Sequence, residues 1–123
     1  MGNTSFQVRI MEIDEEPRIT ANHIESLVGP HVNKIQKSLS DTTVDIRAGT
    51  ARDADHPPSH WSYFIAVRFP AAGPGAKSGE SVFRELMEEC QRIEILGKHL
   101  SVIEIGEQHQ EYQRLVSDLG WQE

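Results

Sequence analysis

The stretch HWSYFIAVRF, residues 60–69, is the most strongly patterned part of this chain. Apolar side chains alternate along it, which is typical of a β-strand, where successive side chains point to opposite faces of a sheet. One face includes Tyr63, Ile65, Val67 and Phe69. The other face carries Phe64 and Ala66, so it is less polar than a face in contact with solvent needs to be. The pattern therefore predicts a central strand with apolar side chains to bury on both faces.

Strand and helix patterns flank this stretch in a regular order. Alternating hydropathy predicts three further strands, and apolar residues at intervals of three and four predict helices. The predicted order is a strand at Phe6–Ile13, a helix at Ile24–Leu39, strands at Val44–Ala48 and His60–Phe69, a helix at Val82–Ile93, a strand at Leu100–Ile105 and a short helix at Tyr112–Leu119. The first helical stripe keeps its phase past Pro30, so we expect a kink there rather than two helices.

This order predicts an α+β fold of the ferredoxin-like β-α-β-β-α-β type, with a four-stranded antiparallel sheet, two helices on one face and a short C-terminal helix. We expect a single domain over residues 1–123, with the first and third strands at the centre because they are the most apolar. The opposite sheet face is expected to carry Met11, Phe64, Ile103 and Ile105. Such a face needs a cover, either the terminal helix or a second copy, and a homo-oligomer is favoured.

Composition and charge argue against several classes of function. Hydrophobic residues make up 37% and charged residues 25% of the 123 residues, which is typical of a globular protein. The net charge of −7 disfavours a nucleic-acid partner and is compatible with a basic protein partner. No apolar run predicts a membrane span, and residues 1–10 lack the pattern of a secretory signal. Cys90 is the only cysteine, so no internal disulfide is expected and a cytoplasmic location is predicted.

A loop rich in glycine and proline joins the strongest strand to the second predicted helix. Residues 71–78, AAGPGAKS, end in Lys77 and Ser78 as a phosphate-binding loop does, but Ala71 and Ala76 stand where that loop needs glycine. The sequence therefore predicts no nucleotide hydrolase. Ser78 is placed to cap the following helix, so Lys77 and Ser78 are candidates for holding a small anionic ligand at a helix N-terminus. A flexible loop without a ligand is the alternative that we favour.

A second turn-rich segment concentrates possible metal ligands. It contains Asp53, Asp55, His56 and His60, whose carboxylates and imidazoles suit zinc and related ions. Residues 57–58 are both proline and restrict how the two histidines converge, and no cysteine completes the set. A solvated turn is the alternative that we favour, so neither a metal nor any other cofactor is predicted.

The second half of the chain carries a resemblance to a known family. A strand ends in Ile46 and Arg47, an acidic turn holds Arg52, Asp53 and Asp55, and the run YFIAVRFPAAGPGAKSGE enters an amphipathic helix before the strand SVIEI. In these features Ile46–Glu104, about half of the chain, resembles the tautomerase superfamily, especially the carboxymethyl-hydroxymuconate isomerase branch.

The resemblance carries an expectation about chemistry. It implies a catalytic base that is an N-terminal proline, whereas Met1 and Gly2 stand at the start of this sequence, so we expect that chemistry to be absent. It also implies that Arg47 could bind a carboxylate. Small dimeric monooxygenases share the predicted topology and use a pocket between sheet and helices.

Two hypotheses follow, because no convergent set of catalytic residues is visible. The first is a small acidic oligomeric module without enzymatic activity, which binds a protein partner or a small ligand, for instance as an inhibitor or immunity protein. The alternative is a small enzyme, tautomerase-like or similar to the cofactor-independent monooxygenases. That enzyme would use a pocket lined by Arg47, His60 and Tyr63. A binding module is favoured.

Overall fold

The structure is a computed structural model that describes residues 5–14, 21–40, 43–52, 61–95, 97–109 and 112–119. Along the chain these residues form β1 (Phe6–Asp14), α1 (Ala21–Ser38), β2 (Asp45–Arg52), β3 (Trp61–Pro70), α2 (Pro74–Gln91), β4 (Glu94–Ile95), β5 (Lys98–His99), β6 (Ser101–Ile105) and α3 (Tyr112–Asp118). No helix in this part of the chain combines the length and the apolar character needed to cross a membrane.

Four strands form one antiparallel sheet in the order β2-β3-β1-β6. The predicted α+β fold and its strand order are confirmed, and β1 and β3 are the central strands, as their apolar character predicted. The sequence did not predict β4 and β5, which pair only with each other and have two residues each. Strands of that length are too short to show a hydropathy period.

Helices α1 and α2 cover one face of this sheet. α1 continues without interruption through Pro30, so the predicted single helix is confirmed. The two helices and the sheet enclose the larger of two cores. Its most deeply buried members are Met11, Ile13, Val28, Ile65, Val67, Phe69, Leu86 and Cys90.

The short helix α3 covers the other face of the sheet. It buries Leu115 and Val116 against β1 and β3, in a second core that includes Ile10 and Phe64. The hydroxyl of Tyr112 donates a buried hydrogen bond of 2.7 Å to the Val8 carbonyl oxygen, which ties α3 to the centre of the sheet. The terminal helix is thus one of the two covers that the sequence predicted for this face.

The face of the sheet on which Met11 of β1 lies was predicted incorrectly. Met11 does not lie under α3 but pairs with Ile65 and is fully buried on the side of α1 and α2. Because β1 is apolar on both faces, alternation alone does not say which face the long helices cover. Phe64 and Ile105 do lie under α3 as predicted. Ile103 lies on the same face of β6 as Ile105, also as predicted, but is 54% exposed there.

The start of α2 also differs from the prediction. The helix begins at Pro74 rather than after Ser78, and its N-cap is Gly73 with a φ of 85°. Proline suits the first position of a helix because its missing N–H has no partner there, and a positive φ costs glycine little. Part of the predicted loop is therefore helical, with Lys77 and Ser78 inside the first two turns.

A close approach between Gly79 and Phe69 fixes how α2 lies on β3. A Cβ atom at position 79 would come within 2.0 Å of the Phe69 ring and 2.4 Å of its Cβ. No side chain fits in that space, so the glycine is required by packing. This contact, rather than loop flexibility, accounts for one glycine of the glycine-rich segment.

We expect Gly79→Ala to lower the free energy of unfolding by about 1–3 kcal/mol, because overpacking exceeds the roughly 1 kcal/mol that alanine gains in a helix. Ser81→Ala, at an exposed position of the same helix, is the control and is expected to change stability by less than about 0.5 kcal/mol. Urea unfolding followed by circular dichroism measures both. An unchanged or raised stability of Gly79→Ala contradicts the close approach.

Candidate functional site

A groove runs between α1 and the edge strand β2, on the sheet face covered by the two long helices. Its volume is about 290 Å³ and it is open to solvent along one side. α1, β2 and β3 supply its walls and floor. The lining residues are Glu25, Gly29, Val32, Asn33, Gln36, Ile46, Ala48 and Tyr63.

Tyr63 is the polar group at the floor of this groove. Its side chain comes from β3 and the residue is only 2% exposed. Among the residues that the structure describes, none forms a hydrogen bond with its hydroxyl. Most buried polar groups in proteins are paired, so a groove lined by a buried tyrosine whose hydroxyl lacks a partner is a place where a hydrogen-bonding ligand could gain affinity.

The phenol of Tyr63 is neutral at physiological pH. Burial raises the pKa of Tyr63 from 10.0 to about 12, and the nearby Glu25 carboxylate adds to the shift, as does the Cys90 thiol once it ionises. A neutral phenol can donate one hydrogen bond and accept others, but it does not act as a ready base. The groove therefore offers recognition rather than proton abstraction.

Small residues keep the groove open. Gly29 on α1 lines it without a side chain, and Ala48 on β2 is exposed at its mouth. Gly29 also precedes Pro30, and the absence of a Cβ atom relieves the crowding that a proline ring imposes on a helical residue before it. One glycine thus lets α1 continue past Pro30 and leaves space beside β2.

The rim of the groove is polar and carries negative charge. Glu25, Asn33 and Gln36 lie on the side of α1 that faces the groove, and all three are exposed. Asn33 follows Glu25 by eight residues and Gln36 follows Asn33 by three, which places them on one side of a helix. Glu25 is the lining residue with a formal charge, and within the described part of the chain it forms no ion pair. The lining therefore favours a group with positive charge and an apolar stem.

The structure separates the residues that the sequence grouped into one pocket. Arg47 pairs across the sheet with Ala66, so it lies on the α3 face, opposite to Tyr63. Its guanidinium contacts Asp45 at 3.2 Å and donates to the Leu119 carbonyl oxygen at 3.3 Å. Arg47 thus holds the end of α3. His60 lies outside the described residues, so of this set only Tyr63 is found at the groove.

Lys77 and Ser78 lie far from Tyr63, the polar residue at the floor of the groove. α2 begins beside Pro70, at the opposite end of β3 from Tyr63, and seven strand residues span about 23 Å. The Ala76 N–H is already bonded to the Gly73 carbonyl oxygen at 3.1 Å, and Pro74 has no N–H to offer. The first turn therefore presents fewer donors than an anion site at a helix N-terminus needs. The anionic ligand remains a prediction.

The proposed metal ligands cannot be placed. Asp53, Asp55, His56 and His60 all lie outside the described residues. Within the described ranges, no group of three or more histidine, cysteine or acidic side chains is arranged to hold a metal ion.

Sequence patterns missed most of the groove. Glu25, Asn33 and Gln36 resemble any solvated side of a helix, and only the fold shows that they face an edge strand. The sequence did contain one sign of the groove, namely Gly29 and Ala48, two small residues at positions that border apolar stripes. Their significance depends on α1 lying next to β2, which hydropathy does not reveal.

Comparisons with protein-family models, with curated proteins and with solved structures found no match to this chain. The resemblance to the tautomerase superfamily is therefore untested and remains a prediction. Residues 1–4 lie outside the described part of the chain, so no geometry bears on an amino-terminal base.

Two buried acidic groups predict a loss of stability at alkaline pH. Burial raises the pKa of Cys90 from 9.0 to about 12, with a smaller effect of Glu89, and that of Tyr63 from 10.0 to about 12. Both groups stay protonated in the folded chain while the unfolded chain ionises. Their contribution to stability is therefore complete below about pH 8 and is lost as the pH rises towards 12.

We expect stability to fall between about pH 8 and pH 11, with about 2–3 kcal/mol of the fall due to Cys90 and about 1 kcal/mol due to Tyr63. Cys90→Ala should be less stable at pH 8, because a cavity forms, yet should show a correspondingly smaller fall. Tyr63→Phe should reduce the fall in stability by about 1 kcal/mol, the part due to Tyr63. Urea unfolding at several pH values measures this, and equal pH dependence in all three proteins would show that neither group is responsible.

Proposed function

We propose that this chain is a binding module and that the groove between α1 and β2 is its ligand site. The observation that carries the proposal is Tyr63, a buried residue that lines an open groove and whose hydroxyl has no hydrogen-bond partner among the described residues. Leaving a buried hydroxyl unpaired costs about 1–3 kcal/mol. In the free protein water entering the groove can reduce this cost, and a ligand must replace that water with its own polar group.

The chemistry of the groove supports binding over catalysis. Among the described residues, its titratable side chains are a neutral phenol, Tyr63, and an exposed carboxylate, Glu25, and none of these lining residues is a serine, cysteine or histidine. General acid–base catalysis needs groups whose pKa values lie near the working pH. A Tyr63 pKa of about 12 is far from that range.

The net charge of −7 and Glu25 at the groove support a basic partner. The expectation of a homo-oligomer has less support than before, because α3 covers the apolar face on which it depended. It stays a prediction. The lone, buried thiol of Cys90 supports the further proposal of a reducing, cytoplasmic setting.

A fragment screen by two-dimensional NMR tests the site. We expect fragments that carry an amine or amide on a short apolar body to shift the amide signals of Gly29, Asn33 and Ala48. Tyr63→Phe removes the hydroxyl alone and should weaken such fragments about fivefold, the equivalent of one hydrogen bond of about 1 kcal/mol.

Ala48→Ile is the blocking variant. Isoleucine suits a strand better than alanine, so the variant should fold while its side chain fills the groove. Thr50→Ile is the matched control, because Thr50 is exposed on the same face of β2 but does not line the groove. Fragments should lose binding to Ala48→Ile and keep it with Thr50→Ile. Fragment shifts that cluster away from the groove, or that survive Ala48→Ile, would overturn the proposal.

A further inference from the structure

The geometry points to a specific class of partner: we propose that the groove receives a lysine or arginine side chain from an extended peptide that adds as a strand to the open edge of β2. This inference rests on the proposed function and names its ligand. It joins two neighbouring features, the outer edge of β2, on which no other described strand lies, and the groove that Tyr63 lines.

β2 is an edge strand of the described sheet, so its outer backbone N–H and C=O groups face away from β3. It pairs with β3 along all eight of its residues, Asp45–Arg52, and no other described strand lies on its outer side. An edge of this kind presents a row of N–H and C=O groups, and an extended segment can pair with them as an additional strand. Main-chain hydrogen bonds would supply affinity that is independent of the peptide sequence.

The alternation of strands then places peptide side chains in the groove. Ile46 and Ala48 lie on the α1 face of β2 and form one wall of the groove, so alternate side chains of an added strand lie on the same face, next to α1. The volume of about 290 Å³ lies just below the range of roughly 300–1,000 Å³ typical of small-molecule sites. The groove therefore suits one long side chain better than a cofactor.

Charge selects which side chain fits. A lysine or arginine side chain has an apolar stem that can lie on Val32 and Ile46, and a cationic head that can donate to the oxygen of Tyr63 and face Glu25. An acidic side chain would meet the charge of Glu25 instead. A purely apolar side chain would leave the Tyr63 hydroxyl without a partner.

Selection from a random-peptide display library tests the inference. We expect enriched peptides to carry lysine or arginine at one fixed position between β-branched residues, which favour extended structure. Replacing that residue by norleucine should weaken binding about fivefold, and so should Glu25→Gln, with little further loss when both changes are combined. Glu85→Gln, which removes an exposed charge from α2, is the control and should leave binding unchanged.

Two further measurements separate a strand from a simple amine ligand. Two peptides are compared, one N-methylated at its odd-numbered residues and the other at its even-numbered residues. One of them should bind at least tenfold more weakly, because its methyl groups replace the N–H hydrogens that face β2. Ala48→Ile should abolish binding, whereas Thr50→Ile should retain the basic-residue preference. A capped single lysine that binds as tightly as the peptides, or N-methylation without effect in either register, would refute strand addition.

The two proposals fail differently. If fragments occupy the groove but no enriched peptide carries a basic residue, the choice of partner is wrong and the binding site stands. If neither fragments nor peptides bind in the groove, both are wrong.

Discussion

The burial of β3 on both of its faces is the constraint on which the rest of this structure depends. Tyr63, Phe64, Ile65, Ala66 and Val67 are consecutive residues and none is more than 2% exposed. A sheet strand of this kind must have a layer on each side. α1 and α2 supply one layer and α3 the other, and the positions of all three helices follow from this requirement.

The layer that α3 forms on the sheet is thin, and this explains why Arg47 is needed to hold it. α3 has only seven residues, too few for a helix to be stable in water by itself. It is held by the burial of Leu115 and Val116, by the Tyr112 hydrogen bond to β1, and by Arg47 at its C-terminal end. A cation is favourable at that end of a helix, where carbonyl groups lack partners. Arg47 therefore belongs to the structure of this face.

Much of the fold could be predicted from the sequence because it depends on local periodicity. The alternation in β1 and β3 and the helical stripes of α1 and α2 gave the element order, and that order nearly determines the sheet. What could not be predicted depends on distant contacts. The side of the sheet that Met11 faces is decided by which helices cover it, and the start of α2 is decided by how Gly79 approaches Phe69.

The candidate site was predictable only in part for the same reason. Tyr63 was identified because it lies in the strongest strand, but its partners in the groove come from α1 and from the edge strand β2. Arg47 was grouped with it because the resemblance to the tautomerase superfamily implies that Arg47 could bind a carboxylate. The two residues lie on neighbouring strands. Arg47 pairs with Ala66, which is an odd number of residues from Tyr63, so the side chains of Arg47 and Tyr63 lie on opposite faces of the sheet.

The covering of the sheet by α3 has a consequence for the synthesis of the chain. Among the described elements, β1 is synthesised well before its neighbour β6 and its cover α3, and Ile10 pairs with Ile105. Until α3 leaves the ribosome, this helix cannot cover the apolar side chains of Val8, Ile10, Phe64 and Ala66. The nascent chain therefore passes through a stage in which an apolar sheet face is open to other chains, the kind of surface from which aggregation starts and to which chaperones bind.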